Sequence, residues 1–207
     1  MLPYIAIERF GLRLQQIRDE DSEIVREGRN KPFVRTNHFY EGIITPEQHR
    51  NWYEGICKTR DYYLVASKDT VPLGLLYLKD ITPGIRSGHI GVFFWEEKIL
   101  RTRIPILAII TFLDFFLITA GVANIDCIIR MDNGAMDHIV QFLEFDLRYN
   151  APTNELRANL TKERMLENRV RLLKYAERLN PDPASWHLRI EGEKDPRHHH
   201  EILRVLP

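Results

Sequence analysis

The sequence predicts a mixed α/β domain, and three observations predict it. An apolar, strand-like run covers His89–Trp95, and a nearly all-apolar helix candidate follows at Ile104–Leu117. A second strand lies at Ala123–Met131, closed by Asp132-Asn133 and followed by a helix that ends in Leu143-Glu144-Phe145. A helix apolar on nearly every side belongs in an interior, packed against a sheet. The run Ile104–Val122 has about the length of a membrane span. Pro105 and Asp114 interrupt it, and strand patterns flank it, so the reading is a buried core helix with no membrane partner.

The remaining elements follow in order. Leu12–Ile17 alternates apolar and polar residues, as a half-buried strand does. Arg18-Asp19-Glu20-Asp21 is a turn with cap residues, and Ser22–Arg29 reads as a helix. Asn30–Tyr40 reads as irregular. Thr45-Pro46-Glu47 combines a capping Thr with Pro at the first helical position, so a helix runs on through His49, Trp52 and Ile56. Asp61–Ser67 and Pro72–Ile81 form a hairpin around Lys68-Asp69-Thr70, and Pro83-Gly84 turns the chain into the central strand. Short strands are expected at Asp146–Tyr149 and Glu155–Leu160. Thr161 caps a helix to Leu179 with Met165, Leu166, Val170, Leu173 and Ala176 on one face; Asn180-Pro181-Asp182-Pro183 stops it, and Trp186–Ile190 reads as a strand.

Composition narrows the class. A length of 207 residues suits one compact domain with an appendage, read as a domain over 1–160 and a C-terminal helix-strand extension over 161–207. Twenty-nine basic residues balance twenty-nine acidic ones, so no global charge points to nucleic acid or an anionic membrane. Locally, Lys98, Arg101 and Arg103 make a basic loop, and Arg197–His200 a basic, His-rich spot. Consecutive histidines cannot all face one ion, so no metal site is expected there. Cys57 and Cys127 give no disulfide framework; Cys127 reads as a buried small apolar residue, and a reducing cytoplasm is the default location. Met1–Phe10 carries Glu8 and Arg9 and has no long apolar core, so it does not read as a signal peptide.

Three strings then carry a family resemblance: Arg29-Asn30-Lys31-Pro32-Phe33-Val34-Arg35, Ile44-Thr45-Pro46-Glu47-Gln48-His49-Arg50-Asn51-Trp52, and Leu160-Thr161-Lys162-Glu163. With the order of elements over Leu12–Leu160, they resemble the GNAT N-acyltransferases, in the branch that includes ribosomal-protein, polyamine and nucleotide-sugar N-acetyltransferases. The chain resembles most those acting on a nucleotide-linked amino-deoxysugar. The resemblance implies a mostly antiparallel sheet flanked by helices, with two central strands splayed around the pantetheine arm of acetyl-CoA or another acyl-CoA. It implies an acyl transfer to the amine of a dTDP- or UDP-linked amino-deoxysugar, for surface polysaccharide and lipopolysaccharide biosynthesis, in a protein that can be a homodimer.

Residue by residue, the family's Gly-rich pyrophosphate loop matches Leu100-Arg101-Thr102-Arg103-Ile104-Pro105, which has no glycine. Arg101 and Arg103 then supply the phosphate charge, or they only solvate a helix start. Asn133 matches the asparagine that holds pantetheine; a plain helix cap, which Asp132 or Asn133 would fill equally well, is compatible with that role. The position of the family's acidic tyrosine holds Val140, with His138 nearby. Backbone N–H groups near Val92, Phe93 and Phe94 match the family's oxyanion donor. His89 is the first candidate for the base, since imidazole has a suitable pKa; the alternatives are a rim histidine making a structural hydrogen bond, Glu96 or Glu97, or a water chain. Arg29, Asn30, Arg35, His38 and Tyr40 would face the acceptor, with Phe33 and Phe39 stacking on a ring or packing into the core. Two other functions stay open: a protein or polyamine N-acetyltransferase on the same fold, and a degenerate acyl-CoA-binding module without catalysis.

Overall fold

The computed structural model describes residues 5–59, 61–82 and 86–192. In chain order they form β1 (Ile5–Arg9), β2 (Leu12–Gln16), α1 (Asp19–Asn30), α2 (Pro32–Arg35), α3 (Pro46–Ile56), β3 (Tyr62–Lys68), β4 (Val71–Thr82), β5 (Ser87–Phe94), α4 (Glu97–Leu100), α5 (Ile104–Leu113), β6 (Asn124–Arg130), α6 (Gly134–Phe142), β7 (Asp146–Asn150), β8 (Glu155–Thr161), α7 (Lys162–Leu179) and β9 (Arg189–Gly192). The strands make one sheet in the order β7-β8-β6-β5-β4-β3-β2-β1-β9. Every neighbouring pair is antiparallel except β5 and β6. The mixed α/β fold expected from the sequence is the one observed.

Local chemistry sets the element boundaries. Thr45 Oγ1 accepts from the Gln48 N–H at 3.2 Å, while Gln48 Oε1 accepts from the Thr45 N–H at 2.9 Å, a reciprocal cap that starts α3. Thr161 Oγ1 caps α7 by accepting from the Arg164 N–H at 3.2 Å. Phe10 (φ 55°) and Gly11 (φ 70°) turn β1 into β2, a left-handed pair in which glycine takes the second place without strain.

Two apolar layers hold the sheet. On one face α1, α2 and α3 pack Val25, Val34 and Ile56 against Tyr63, Val65, Leu75 and Trp95. Trp95 lies directly on Gly28 of α1, where a Cβ would meet its ring at 2.7 Å. The other face is covered by α5 and α7. Leu107, Ile110, Phe112 and Leu113 of α5 are fully buried there, each contributing roughly 1.5–3 kcal/mol.

Several expectations need correction. The helix expected to run unbroken over Ile104–Leu117 is α-helical only to Leu113; a wider π turn covers Asp114–Thr119 and closes with Ala120 N–H donating to Phe115 O at 2.8 Å. The Glu96–Arg103 loop contains the short helix α4, and Asn30–Tyr40 contains α2. Met1–Phe10, read only as lacking a signal, contributes the buried strand β1. The buried face of α7 is Met165, Leu172 and Ala176, while Leu166 and Val170 are exposed. Arg169 shares the inward side, because its guanidinium reaches Asp114. The expected strand at Trp186–Ile190 begins instead at Arg189 and pairs with β1. That places β9 at the far edge of the sheet from β5 and β6. The Pro83-Gly84 turn, Arg197 and the three histidines lie outside the described residues.

Candidate active site

The site begins where the sheet comes apart. The parallel pairing of β5 with β6 covers only Ser87–Asn124, Gly88–Ile125 and His89–Asp126. Beyond His89 the strands separate, each held on its outer edge by a full antiparallel partner, β4 for β5 and β8 for β6. Trp95 N–H donates to Leu73 O, and successive N–H groups alternate along a strand. Phe93 and Gly91 therefore also face β4, which leaves the Val92 and Phe94 amides facing the gap. These are unpaired backbone donors in an apolar cleft, suited to an amide-rich ligand lying between the strands or to a carbonyl oxygen gaining charge. Of the three residues expected to line this wall, Phe93 contributes its ring rather than its N–H.

A cavity of about 380 Å³ fills the gap. Its walls include Pro105 and Ile109 of α5, Met136, Ile139 and Val140 of α6, and Cys127 and Ile129 of β6. Asn133 lines it and caps α6, its Oδ1 accepting from the Met136 N–H at 3.2 Å. Its amide nitrogen has no role in the cap and so is left over for a second contact. Asp132 is instead paired with Arg130 at 2.7 Å, which decides which of the two neighbours makes the cap. At one mouth stands the N-terminus of α5, with Arg101 and Arg103 exposed just before it and Leu100 on the rim. Burial pushes the Cys127 thiol up to about 12, so it is an inert wall at neutral pH.

At the other mouth lies the segment after α1. His89, His38, Phe39 and Tyr77 line the cavity here, with Phe33 and Val34. His89 Nδ1 stands 3.0 Å from Asp126 Oδ2. Tyr77 lies across Gly91, where a Cβ would overlap the phenol ring, so the glycine lets the ring reach the cleft. Burial raises the Tyr77 pKa. His38 Nδ1 is 2.7 Å from Val34 O; a carbonyl only accepts, so the proton is on Nδ1. Its ring meets Phe93 edge-on with centroids 5.5 Å apart. Burial first, then the charge of Arg29, hold the His38 pKa down to about 4, against the raising effect of the Val34 bond. His38 is thus a neutral contact at pH 7.

That depression has a sign. The unfolded ring titrates near 6.5 and the folded one near 4, so between these values the unfolded chain binds the extra proton. Stability is full above the unfolded value and falls as pH drops through this window. In denaturant titrations between pH 7 and 4, His38→Asn, which keeps a donor for Val34, is expected to decline less steeply than wild type. Equal slopes would show that His38 does not contribute. His49, whose pKa is also lowered by burial, adds to the same acid limb in both proteins.

The other expected acceptor-side residues separate into two groups. Asn30 is committed to the fold: its Nδ2 donates to Ile44 O at 2.9 Å and its Oδ1 accepts from Ile44 N–H at 2.8 Å. It is a loop clamp, and it does not line the cavity. Arg29 and Arg35 also hold the loop, through Tyr40 O at 2.9 Å and Glu41 O at 3.0 Å. Yet Arg29 NH1 and Arg35 Nε are buried without a hydrogen-bond partner, and neither guanidinium is in an ion pair among the described residues. Tyr40 and Ile43 are exposed and do not line the cavity, while the exposed Phe39 does. Glu97 is exposed and does not line the cavity, and Glu96 is paired with Lys31 at 2.6 Å. Sequence reasoning missed Asp126, Tyr77 and Arg130, which donates to His38 O and pairs with Glu41. Each is a polar residue in an alternating strand, and nothing local marks it as facing a cleft.

The same overall fold is found in known proteins. A GNAT-family acetyltransferase from Bacillus anthracis superposes with a TM-score of 0.64 at 16% identity, covering 76% of this chain and 99% of the other. The fold is that of the GNAT acetyltransferases. Spermidine N-acetyltransferase from Vibrio cholerae, in complex with CoA and spermine, gives a TM-score of 0.65 at 15% identity over 75% of this chain and 98% of its own. Mycobacterium smegmatis RimJ, in complex with CoA-disulfide, gives 0.62 at 14% identity over 82% and 98%. No protein-family profile matches the sequence, and no curated protein matches it. The GNAT fold here carries no helix, among the described residues, long and apolar enough to cross a membrane, and no cluster of three or more metal-ligating side chains.

Proposed function

We propose that the protein is an N-acyltransferase that moves an acyl group from acyl-CoA to the amine of a nucleotide-linked amino-deoxysugar, of the dTDP or UDP type. The observation that carries the donor half is the gap between β5 and β6, with the Val92 and Phe94 amides and Asn133 directed at one apolar channel. A pantetheine arm has the amides to meet these groups and the width to lie between the strands. Its phosphates would emerge at the N-terminus of α5, beside Arg101 and Arg103. Replacing both arginines by Ala is expected to weaken CoA binding by roughly 1–3 kcal/mol in total. Calorimetry giving an unchanged affinity would remove the phosphate role from both.

The chemistry then needs few groups. The neutral amine attacks the thioester carbonyl, the C–N bond forms, and a β5 amide steadies the oxyanion. The C–S bond breaks, and CoA leaves as a thiolate of low basicity, which suits a site with Val140 where a proton-donating tyrosine would stand. The amine's proton goes to His89.

The acceptor half rests on Arg29 and Arg35. Two half-buried cations, each with one unpaired buried nitrogen and neither with a carboxylate partner among the described residues, beside a neutral His38 and the exposed rings of Phe39 and Tyr40, suit an anionic, ring-bearing acceptor. A polyamine or protein amine is the second reading, favoured by the likeness to spermidine N-acetyltransferase and by Glu155 on the cavity wall. Thiol release from acetyl-CoA separates them, with a dTDP-linked amino-deoxysugar, a UDP-linked amino sugar, spermidine and a peptide with a free N-terminus as acceptors. Turnover is expected on a sugar nucleotide, rising with pH until its amine is deprotonated. Robust acetylation of spermidine or the peptide, with none of a sugar nucleotide, would overturn the acceptor assignment. Binding of CoA with no turnover on any amine would favour a non-catalytic module.

A further inference from the structure

We propose that Asp126 is the positioning residue for His89: its carboxylate holds the imidazole in the one tautomer that can accept the acceptor's proton. The proposal rests on reading His89 as the base, and the test below separates the two. His89 and Asp126 form the last register pair before β5 and β6 diverge, so their side chains stand side by side on the same face of the sheet. The separation of Nδ1 from Oδ2 is 3.0 Å. A carboxylate at neutral pH only accepts, so the proton between them is on Nδ1. The lone pair is then on Nε2, at the other edge of a ring that lines the cavity.

The surroundings support one orientation. On the β4 side, the register partner of His89 is Lys79, whose ammonium is 3.2 Å from Asp80. On the β8 side, Asp126 is paired with Asn159 in register. The imidazole therefore stands between a cation engaged elsewhere and a carboxylate that bonds it. When the amine attacks, its proton passes to Nε2 and the ring becomes a cation. The neighbouring carboxylate stabilises that charge without taking the proton. The imidazolium then returns the proton to the departing thiolate or to water. His89 is 22% exposed and Asp126 48%, so neither is a core residue whose loss would unfold the chain.

The experiment uses the full chain with acetyl-CoA and a dTDP-linked amino-deoxysugar, in a cycle of His89→Ala, Asp126→Ala and the double variant, with Asp126→Asn as the near-isosteric control. Long-range proton–nitrogen NMR reads the tautomer of His89. Wild type is expected to show the proton on Nδ1, and Asp126→Ala to lose that preference. Asp126→Ala and Asp126→Asn are expected to lower kcat roughly ten-fold or more, with the KM for acetyl-CoA little changed. In the His89→Ala background, Asp126→Ala is expected to add nothing, because the two act as a unit. An equal drop in both backgrounds would overturn the proposal, as would wild-type kcat with an unchanged tautomer in Asp126→Ala. If His89→Ala itself keeps wild-type turnover, the proposal falls with the base assignment; an Asp126-dependent tautomer would then identify the base reading as the part that failed.

Discussion

Replacing Asp114 by Ala is expected to cost about 3–5 kcal/mol of folding stability. Asp114 is 1% exposed at the start of the π turn after α5. Its carboxylate accepts from Arg9 NH1 at 2.7 Å, from Arg169 Nε at 2.6 Å and from Arg169 NH2 at 3.2 Å. Arg9, 9% exposed, also donates from Nε to Trp186 O at 2.8 Å. Three distant segments, β1, the π turn and α7, thus meet on one carboxylate beneath the sheet. Removing it leaves the Arg9 charge buried and unpaired, and that desolvation dominates the cost. Salt should not rescue the variant, since a buried pair is little screened. Arg169→Ala should cost no more than about 1 kcal/mol, because that side chain is 39% exposed and solvent can replace the contact. Urea midpoints for the two variants check the ordering; an Asp114→Ala loss below about 1 kcal/mol would show that Arg9 finds another partner or water. A concerted change of Arg9 and Asp114 to apolar residues should recover much of the loss.

The same residue shows what a sequence can and cannot reveal. Asp114 is visible in the sequence only as a charge that argues against a membrane span. Its partners lie 105 residues before it and 55 after it, so no local pattern joins them. Arg169 in turn upsets the reading of α7: counting only apolar residues selects the exposed Leu166 and Val170, whereas the inward side carries a half-exposed arginine that reaches Asp114. Signals that act within a few residues fared better. The Thr45 and Thr161 caps, the buried helix α5 between two strands and a cap at Asp132 or Asn133 all rest on local hydrogen bonding or periodicity, and each was legible. The cleft was legible as a place, because strand, helix and strand define it. Its polar fittings were not. Asn30 was expected to face a ligand, yet a loop fourteen residues on takes both ends of its amide. Asp126 was passed over because its role depends on which strand lies beside β6, a fact of topology.

Topology also decides which group in the cleft can take a proton, and this leads to the second large effect. His89→Ala is expected to lower kcat by a factor of roughly 10² or more, with little change in acetyl-CoA binding. Among the described residues of the cavity, chemistry sets the other titratable groups aside. His38 is held down to about 4, too weak a base for an ammonium-forming step. Burial pushes Cys127 up to about 12 and raises Tyr77, so both stay protonated. Glu97 is off the cavity, and Glu97→Gln should leave turnover near wild type. Glu155 also lines the cavity but is paired with Arg157 at 3.3 Å, which leaves His89, with its Nδ1 proton engaged by Asp126 and its other nitrogen free. Donor binding should survive the substitution, because Val92, Phe94 and Asn133 sit further along the gap and keep their geometry. Steady-state kinetics with acetyl-CoA and the acceptor that turns over, paired with CoA calorimetry on the same variant, make the test. Near wild-type kcat would remove His89 as an essential base and leave a water chain to carry the proton. A parallel loss of CoA affinity would mean instead that the ring supports the strand pair where the sheet opens.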